Sequence, residues 1–405
     1  MFDNIAAIIP IVRPEKAKRC IESVELHCPG VQIITGIDTH GIGCPKMVEK
    51  LLAKTDRPLI AFLGDDTIVQ AGAFQNAMRE MNDLPDGWGV VGLNTEPGND
   101  HAHWVADRRI LKHIPGGNFF PTEYHHCFGD DELKDIASEL GRWAYASDAI
   151  VEHDHPVNGG QDDEFYHKAY GNNRFAEDRA TYYRRKRDRY GNKIAIGFPL
   201  VDSTVHVRFF TSFACMEKPE QYTLLIPQFP HGPWSGSIAD ARNSLVEQAQ
   251  QDGCRYLLML DTDQVYPTDT LPKLLSHGVD ICGVRVHRRW MPFDPIFLRG
   301  DLGNYKSVPD EEMYSGKLIS VDATGTGCLL FNMGVFDRMP HPWFQFGIFN
   351  DKPVGEDIYF CTQARKSGVD IWIDTSIEVG HLTTVEVDRF LHQLCKSVKP
   401  KLNKD

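Results

Sequence analysis

The chain has 405 residues, which is more than one compact core usually contains, so its length predicts two domains. A hydrophobic fraction of 42% and a charged fraction of 24% are typical of a globular protein. The net charge of −13 argues against a surface that is basic throughout, although a local basic patch could still bind nucleic acid.

Targeting signals and cysteine motifs are not apparent in the sequence. No run approaches the roughly 18 consecutive apolar residues of a membrane span, and Met1–Val12 lacks the features of a secretory signal. The ten cysteines form no C-x-x-C pair, which argues against a zinc knuckle or a disulfide framework. We therefore expect a cytoplasmic protein with reduced thiols and no membrane insertion.

In the first half, apolar runs alternate with helical stretches. The predicted strands are Ile5–Val12, Val31–Asp38, Pro58–Leu63 and Trp88–Leu93, and the predicted helices are Pro14–Leu26, Cys44–Ala53 and Ala71–Met81. This alternation predicts a mostly parallel sheet covered by helices on both faces. Ligands bind such sheets at the carboxyl ends of the strands, where Asp38, Asp65 and Asp66 lie.

Residues 161–217 are rich in Tyr, Arg and Asp, and we predict a helical and extended connector there. It contains a basic run, Arg184–Arg189 (RRKRDR). One interpretation is a solvated helix face. The other is a phosphate-binding patch with the neighbouring tyrosines as stacking groups, which would suit a DNA acceptor.

The second half repeats the alternation. Its predicted strands are Thr223–Gln228, Tyr256–Leu260, Asp280–Val286 and Val369–Ile373, and its predicted helices are Ile238–Gln250 and Thr270–Ser276. Residues 288–315 show little periodicity and predict a long loop or a small sheet. The fold class is therefore α/β, with one domain at residues 1–160 and another at residues 218–405.

A pair of carboxylates follows the apolar strand Tyr256–Leu260. Asp261 and Asp263 are separated by one residue at the open end of the predicted sheet. Carboxylate oxygens suit Mg²⁺ or Mn²⁺, and such an ion can neutralise a diphosphate leaving group. Taken alone, these aspartates could equally cap the next helix or complete a turn.

Three later features make a metal site more attractive. Thr324 and Gly325 belong to a stretch of small residues that leaves room for a ligand beside the backbone. Glu356 and Asp357 are predicted to begin a helix. They could be caps that favour the helix dipole, or one of them could be a general base that deprotonates an acceptor hydroxyl. His381 follows a strand and could be a structural residue or a third metal ligand.

Four motifs occur in a characteristic order. They are Leu257–Val265 (LLMLDTDQV), Gly325–Asn332 (GTGCLLFN), Gly355–Phe360 (GEDIYF) and Ile371–Leu382 (IWIDTSIEVGHL). Together they resemble the GT-A fold glycosyltransferases, particularly the family-2-like enzymes common in phage and bacterial genomes. The resemblance covers roughly residues 220–385.

This resemblance implies roles for individual residues of the second half. Asp261 and Asp263 would hold the metal and the nucleotide-sugar, with His381 as the late metal ligand. Asp357, or alternatively Glu356, would be the catalytic base. Arg242 would line the nucleotide pocket, and Thr324 and Gly325 would lie beside the donor.

The first half resembles the same fold more loosely, which implies two tandem GT-A-like domains. Asp66 aligns with Asp263 as a metal ligand, Gly64 replaces Asp261, and Asp65 is adjacent. Asp130 and Asp131 align with the catalytic carboxylates. The remaining assignments are His155 as the metal ligand, with His153 as a competitor, Asp38 at the nucleoside base, Arg13 at the nucleotide, and Gly116–Phe119 as the small-residue strand.

The function implied is transfer of a sugar from a nucleotide-sugar to an acceptor hydroxyl, with Mn²⁺ or Mg²⁺ and inversion at the anomeric carbon. A hydroxymethylated pyrimidine in phage DNA is one candidate acceptor, which would place the protein in the host cytoplasm. A protein or polysaccharide acceptor, with one domain serving only for binding, is an alternative. A nucleotidyltransferase or phosphoesterase is a rival of another class.

Overall fold

A computed structural model describes residues 2–95, 100–154, 167, 173–232, 235–349 and 351–397. The chain forms two compact units, Met1–Lys186 and Arg187–Asp405, here called the N unit and the C unit. The boundary between them lies within the helix Arg174–Tyr190.

The N unit consists of a β-sheet covered by helices. The strands are β1 Ile5–Ile11, β2 Gln32–Ile37, β3 Leu59–Phe62, β4 Thr67–Val69, β5 Val90–Asn94, β6 Trp104–Asp107 and β7 Trp143–His153. The helices are Pro14–His27, Cys44–Leu52, Ala73–Asp83, Gly129–Glu139 and the beginning of Arg174–Tyr190, with 3₁₀ segments at Pro85–Gly87 and Arg108–His113.

The seven described strands of the N unit form one sheet in the order β2-β1-β3-β6-β5-β7-β4. All of them except β6 and β4 run in one direction. The run Ile5–Ile9 is completely buried, and a separate apolar cluster packs on each face of the sheet. A strand covered on both faces has no need of polar residues in alternation, which explains the continuous apolar runs in the sequence.

The C unit has more elements. Its strands are β8 Ile194–Gly197, β9 Thr223–Leu225, β10 Tyr256–Leu260, β11 Gln264–Val265, β12 Ile281–Val286, β13 Phe297–Arg299, β14 Lys306–Ser307, β15 Leu318–Val321, β16 Ala323–Thr324, β17 Cys328–Asn332, β18 Gly347–Phe349, β19 Lys352–Val354 and β20 Ile371–His381. Its helices are the end of Arg174–Tyr190 and Val207–Cys215, Ile238–Gln251, Thr270–Ser276, Asp310–Met313, Gly334–Arg338, Glu356–Lys366 and Arg389–Ser397.

The main sheet of the C unit has the order β11-β20-β12-β17-β10-β8-β9, with β15 added beside β20. Read from β9 to β11, with β8 to β12, β17 and β20 counted in chain order as the first to the seventh strand, this is the strand order of the N unit sheet. In both orders the sixth and fourth strands, β6 and β4 or β17 and β11, run opposite to the others, and the added β15 is also antiparallel to β20. Both β7 and β20 also carry an irregularity in their pairing with the neighbouring strand, after Ala146 and after Asp374. The prediction of α/β units with mostly parallel central sheets is confirmed.

Several elements differ from the predictions. β8 lies within the stretch predicted as a connector, yet it pairs with β10 and so belongs to the C unit sheet. Gly116–Phe119, predicted as the small-residue strand, is a turn in which both glycines have positive φ. The antiparallel strand in the middle of the N unit sheet is β6 instead. Residues 288–315 contribute β13 and β14 to a three-stranded sheet, which agrees with the small-sheet alternative.

The basic run fits neither interpretation offered for it. Three of its cations, at positions 185, 186 and 187, are buried. Their partners within the same unit are Glu132 for Arg185 at 2.9 Å, Asp135 for Lys186 at 2.7 Å, and Asp337 for Arg187. Because each of these three cations is buried and paired with a carboxylate, they are neither a solvated face nor open to a phosphate backbone, whereas Arg184 of the same run is exposed.

Within the part of the chain that the structure describes, no helix has both the length and the apolar character needed to span a bilayer.

Candidate functional site

In the C unit, strand pairing brings the acidic turn Asp261–Asp263 next to His381. The turn separates β10 from β11, and β11 pairs with the end of β20 so that Gln264 lies opposite His381. His381 Nε2 is 3.3 Å from Asp263 Oδ2. His381 Nδ1 is 2.7 Å from the carbonyl oxygen of His287, to which it must donate, and this leaves Nε2 facing the carboxylate.

Asp263 and His381 fit a divalent ion. Two neighbouring ligands of an octahedral ion lie about 3 Å apart, close to the distance between these atoms. An outer carbonyl that fixes the ring of a metal-binding histidine is also common in metal sites. Arg289 Nη1 is 2.8 Å from Asp263 Oδ2, and because half of this arginine side chain is exposed, it can withdraw into solvent when an ion binds.

The contact between Asp263 and His381 shifts their pKa values in opposite directions. Burial alone would raise the pKa of Asp263, but the hydrogen bond and charge of His381 and the charge of Arg289 lower that pKa below its usual value. Burial would lower the pKa of His381, and the contact with Asp263 outweighs it and raises that pKa. An ionised carboxylate is the form that binds a metal, whereas the imidazole must lose its proton to do so.

Arg242 connects the acidic turn with the predicted catalytic carboxylates. It lies in the helix Ile238–Gln251 and is buried. Its Nη2 is 3.0 Å from Asp261 Oδ1, and its Nε is 3.5 Å from Glu356 Oε1. The third contact is Nη1 with the carbonyl oxygen of Thr326 at 3.3 Å. The guanidinium is thus engaged by protein groups and positions two carboxylates.

Asp357 lies in the first turn of the helix Glu356–Lys366, beside the residue that Arg242 engages. Burial, followed by the negative charge of Glu356, raises the pKa of Asp357. A Cβ at Gly355 would be 2.8 Å from Asp357 Oδ1, so the glycine provides the space that this carboxylate occupies. A carboxylate with a raised pKa is a better proton acceptor than an ordinary one.

The stretch of small residues that contains Thr324 and Gly325 packs against Ile296, and it approaches the acidic turn at Gly327. Thr324 Oγ1 donates to the carbonyl oxygen of Ile296 at 2.8 Å, and a Cβ at Gly325 would touch the side chain of Ile296. The close approach to the acidic turn occurs at Gly327. Its carbonyl oxygen accepts from Asp261 N at 2.8 Å, and a Cβ there would be 2.8 Å from Asp261 Oδ2.

The N unit has a cavity of about 760 Å³ at the carboxyl ends of its strands. Six of the residues predicted to act in this unit line it: Arg13, Asp38, Asp65, Asp66, Asp130 and Asp131. Six histidines line it as well. These six residues are thus brought together around one cavity, and His155 lies outside the described residues.

Asp66 pairs with His153. Thr67 lies opposite His153 in the β4–β7 pairing, as Gln264 lies opposite His381 in the C unit. His153 Nε2 is 3.4 Å from Asp66 Oδ1. His153, the competing candidate of the sequence analysis, therefore occupies the position that His381 has in the C unit.

Arg13 covers the same turn. Its Nη2 is 2.6 Å from Asp65 Oδ1 and 2.8 Å from Asp66 Oδ2. The other oxygen of Asp65 accepts from the backbone nitrogens of Val12 and Arg13, at 2.7 and 2.6 Å. The guanidinium thus binds both carboxylates, and its predicted contact with a nucleotide stays a prediction.

Asp38 also satisfies a protein loop. Its two oxygens accept from the backbone nitrogens of Ile42 and Gly43, each at 2.9 Å. Burial would raise its pKa, but these backbone donors lower it. The carboxylate lines the cavity while holding the loop ahead of the helix Cys44–Leu52, which is a structural task beside the predicted contact with a nucleoside base.

Asp130 and Asp131 lie near His101. Its Nε2 is 3.3 Å from Asp131 Oδ1, and its Nδ1 is 2.6 Å from Asp100 Oδ1. Burial would lower the pKa of His101, but Asp131, Asp130 and Asp100 raise it to about 9. Burial and Asp131 raise the pKa of Asp130 to about 6. One ligand atom from each of His101, Asp130 and Asp131 lies within 4.8 Å of the others, so this group could hold a cation.

Sequence reasoning missed His101, His103 and Arg289. The two histidines form a His-x-His pattern just before β6, and both line the cavity. In an extended segment, residues two apart have their side chains on the same face, so this pattern could have indicated two histidines at one site. Arg289 lies outside the four motifs, and its contact with Asp263 depends on the folded loop.

Comparisons with known proteins found little sequence similarity. No family profile matches the chain, and no curated protein is significantly similar to it. Several solved structures show a distant likeness. A197 from STIV has 14% identity and a TM-score of 0.33, and the match covers 47% of this chain and 86% of that one.

A mannosyltransferase and TarS, a protein crystallised with UDP-GlcNAc, are among the similar structures. The mannosyltransferase PcManGT from Pyrobaculum calidifontis, in complex with GDP-Man and Mn²⁺, has 11% identity and a TM-score of 0.35 over 46% of this chain and 64% of its own. TarS 1-349 from S. aureus, in complex with UDP-GlcNAc, has 13% identity and a TM-score of 0.33 over 45% of this chain and 64% of its own. The matches thus span less than two thirds of either enzyme chain.

Proposed function

We propose that the C unit is a metal-dependent glycosyltransferase that moves a sugar from a nucleotide-sugar donor to an acceptor hydroxyl. The observation that carries the proposal is the contact of 3.3 Å between Asp263 Oδ2 and His381 Nε2, on a ring fixed by the carbonyl of His287. The motifs that resemble GT-A enzymes end on these residues and on the helix that begins at Glu356.

Each residue has a task in this reaction. Asp263 and His381 would hold Mn²⁺ or Mg²⁺, with Asp261 alongside on the same turn. A divalent ion bound there would neutralise the negative charge of the diphosphate as it leaves. Arg242 fixes Asp261 and Glu356 through its buried contacts.

Asp357 is the proposed base. The acceptor oxygen attacks the anomeric carbon, the bond from that carbon to the phosphate oxygen breaks, and the nucleoside diphosphate leaves with the bonding electrons. The acceptor proton passes to Asp357, whose raised pKa suits a proton acceptor. Direct displacement of this kind inverts the anomeric centre.

The N unit is proposed either as a second donor site or as a binding module. Its cavity of about 760 Å³ is of the size that small-molecule ligands occupy. Among acceptors, a hydroxymethylated pyrimidine in phage DNA stays a proposal, as do a protein and a polysaccharide. The proposed location is the cytoplasm, without membrane insertion.

The test is a screen of nucleotide-sugars with Mn²⁺ for hydrolysis or transfer, on wild type and on Asp357→Asn. We expect Asp357→Asn to lower the transfer rate by about 10²–10⁴-fold while the donor still binds, because only proton acceptance is lost. The matched control is Asp269→Asn, an exposed acid that pairs with Lys273 on the surface of the C unit.

The product distinguishes the reaction classes. Release of a nucleoside diphosphate supports sugar transfer, whereas release of pyrophosphate from a nucleoside triphosphate would support a nucleotidyltransferase. Full transfer activity in Asp357→Asn would contradict the assignment of the base.

A further inference from the structure

We infer that the acidic turn of the N unit, Gly64–Asp66, carries its own cation in the guanidinium of Arg13 and takes no divalent ion. The inference rests on the proposed function only for the expectation that the C unit holds such an ion. It replaces the expectation that Asp66 is a metal ligand with a different role for that residue.

The two acidic turns are equivalent in position. Asp66 precedes β4 and Asp263 precedes β11, and each of these strands pairs with the strand that ends in the partner histidine. Asp66 contacts His153 at 3.4 Å, and Asp263 contacts His381 at 3.3 Å. From position alone, both turns would be expected to bind the same cation.

The surroundings of the turns differ in how their carboxylates are satisfied. Arg13 Nη2 reaches both Asp65 and Asp66, at 2.6 and 2.8 Å, and Arg13 Nε donates to Asp65 Oδ1 at 2.9 Å. Since the second oxygen of Asp65 accepts two backbone hydrogen bonds, both carboxylate oxygens of this residue have donors. An ion placed between Asp65 and Asp66 would have to displace this arginine.

Access to the turns differs as well. The side chains of Asp65 and Asp66 are 2% and 3% exposed beneath an arginine that is 18% exposed. In the C unit, Asp261 and Asp263 are 26% and 36% exposed, and Arg289, which pairs with Asp263, is 50% exposed. Arg289 can exchange its carboxylate for water, whereas moving Arg13 would leave a largely buried charge without its partners.

The ionisation of Asp66 agrees with this arrangement. Burial would raise its pKa, but the contact with His153 and the charge of Arg13 hold that pKa well below its usual range. The carboxylate of Asp66 is therefore ionised, and the guanidinium of Arg13 lies 2.8 Å from it. A ligand of the N unit cavity would meet a turn whose charge is balanced by protein.

The test counts Mn²⁺ ions bound by the whole chain, using the electron paramagnetic resonance signal of free Mn²⁺ in a titration. Asp263→Asn and Asp66→Asn are matched variants, because they remove one charge at the same position of each sheet. We expect Asp263→Asn to lose one bound ion, or at least tenfold in affinity for it. Asp66→Asn should keep the number and the affinity of wild type.

Loss of one ion in Asp66→Asn would overturn the inference. This comparison is unaffected by an ion at His101, Asp130 and Asp131, since such an ion would be present in both variants. If Asp263→Asn also keeps every ion, the proposed metal site of the C unit fails, while the result for Asp66→Asn still decides the inference.

A second variant, Arg13→Met, tests the cause. Removing the guanidinium leaves Asp65 and Asp66 with uncompensated charge, so we expect the chain to gain one Mn²⁺ and to be stabilised by it in a thermal melt. A folded Arg13→Met protein that gains no ion would contradict the inference. If this variant does not fold, Asp66→Asn carries the test.

Discussion

His101 of the N unit lies between Asp100 and Asp131, with Asp130 nearby. Asp100 is itself held by Lys134, whose Nζ is 2.7 and 2.6 Å from its two oxygens. The imidazolium therefore faces three carboxylates, one of which is already paired with a lysine. Its charge offsets the repulsion between Asp130 and Asp131 at the start of their helix.

This arrangement predicts a pH dependence of stability. The pKa of His101 is about 9 in the folded protein, above the ordinary 6.5, so its contribution is complete below about pH 6.5 and is lost as the pH rises through about 9. We expect the difference in unfolding free energy between wild type and His101→Gln to shrink by on the order of 2 kcal/mol between pH 6 and pH 9.5. Urea unfolding in the presence of a chelator measures it.

The control for this prediction is His341→Gln, which removes an exposed histidine paired with Glu247. An exposed pair contributes less than about 1 kcal/mol, so this variant should stay close to wild type at every pH. A difference for His101→Gln that grows as the pH rises would refute the role given to His101.

At the level of elements, a glycine lies at the same position in both sheets, where the strand beside the antiparallel strand must approach its neighbours closely. Gly92 of β5 lies opposite Trp104, and Gly283 of β12 lies opposite Leu329. A Cβ at Gly92 would be 1.7 Å from the carbonyl oxygen of Asp100, whereas a Cβ at Gly283 would first meet the end of the Leu329 side chain, at 2.4 Å.

Alanine should therefore cost more in β5 than in β12. A side chain can change rotamer but a backbone carbonyl cannot, so we expect Gly283→Ala to cost about 1–3 kcal/mol and Gly92→Ala to cost more than that. Urea unfolding of the two variants compares them directly. Equal costs would show that the backbone at Asp100 moves as easily as a side chain.

The sequence revealed those elements whose pattern is set by burial alone. β1 and β10 are continuous apolar runs, and the acids that follow β10 could be read directly as a site. The sequence did not predict β6 and β8; their pairing with neighbouring strands identifies them as members of the two sheets.

The choice between His153 and His155 was beyond the sequence for a related reason. The irregularities in β7 and β20 have the same size, but the segment that joins the helix to the strand is two residues shorter between Gly129 and β7 than between Gly355 and β20. Spacing along the chain then no longer reports which residue faces Thr67. Only the pairing of β4 with β7 settles that His153 lies at Asp66.

For the whole molecule, the two units share a strand order while their acidic turns carry different residues. Gly64 stands where the C unit has Asp261, and Arg13 supplies positive charge within the N unit. A common strand order thus positions a turn and a histidine in each unit, and the side chains around the turn differ between the units.

The thiols give a prediction that concerns the entire chain. All ten cysteines are free, and of these Cys215 and Cys395 are exposed. Burial raises the pKa of Cys20 and Cys254 to about 11, which suppresses the reactive thiolate. Iodoacetamide at pH 8 should therefore label Cys215 and Cys395 first in the native protein and all ten cysteines in urea, as counted by mass spectrometry.

Cys127 is half-buried and should react more slowly than the exposed pair. Fast labelling of Cys328, which is buried beneath the acidic turn of the C unit, would contradict the packing of β17.

The residue that follows each paired strand closes its acidic turn. The backbone nitrogen of Asp154 donates to the carbonyl oxygen of Asp66 at 2.9 Å, and that of Leu382 donates to the carbonyl oxygen of Asp263 at 2.7 Å. These two amide hydrogens exchange with deuterated solvent only when the turn opens. The exchange rate of each amide hydrogen therefore reports how often one turn opens. A single exchange experiment on the intact chain can report which turn a given ligand closes.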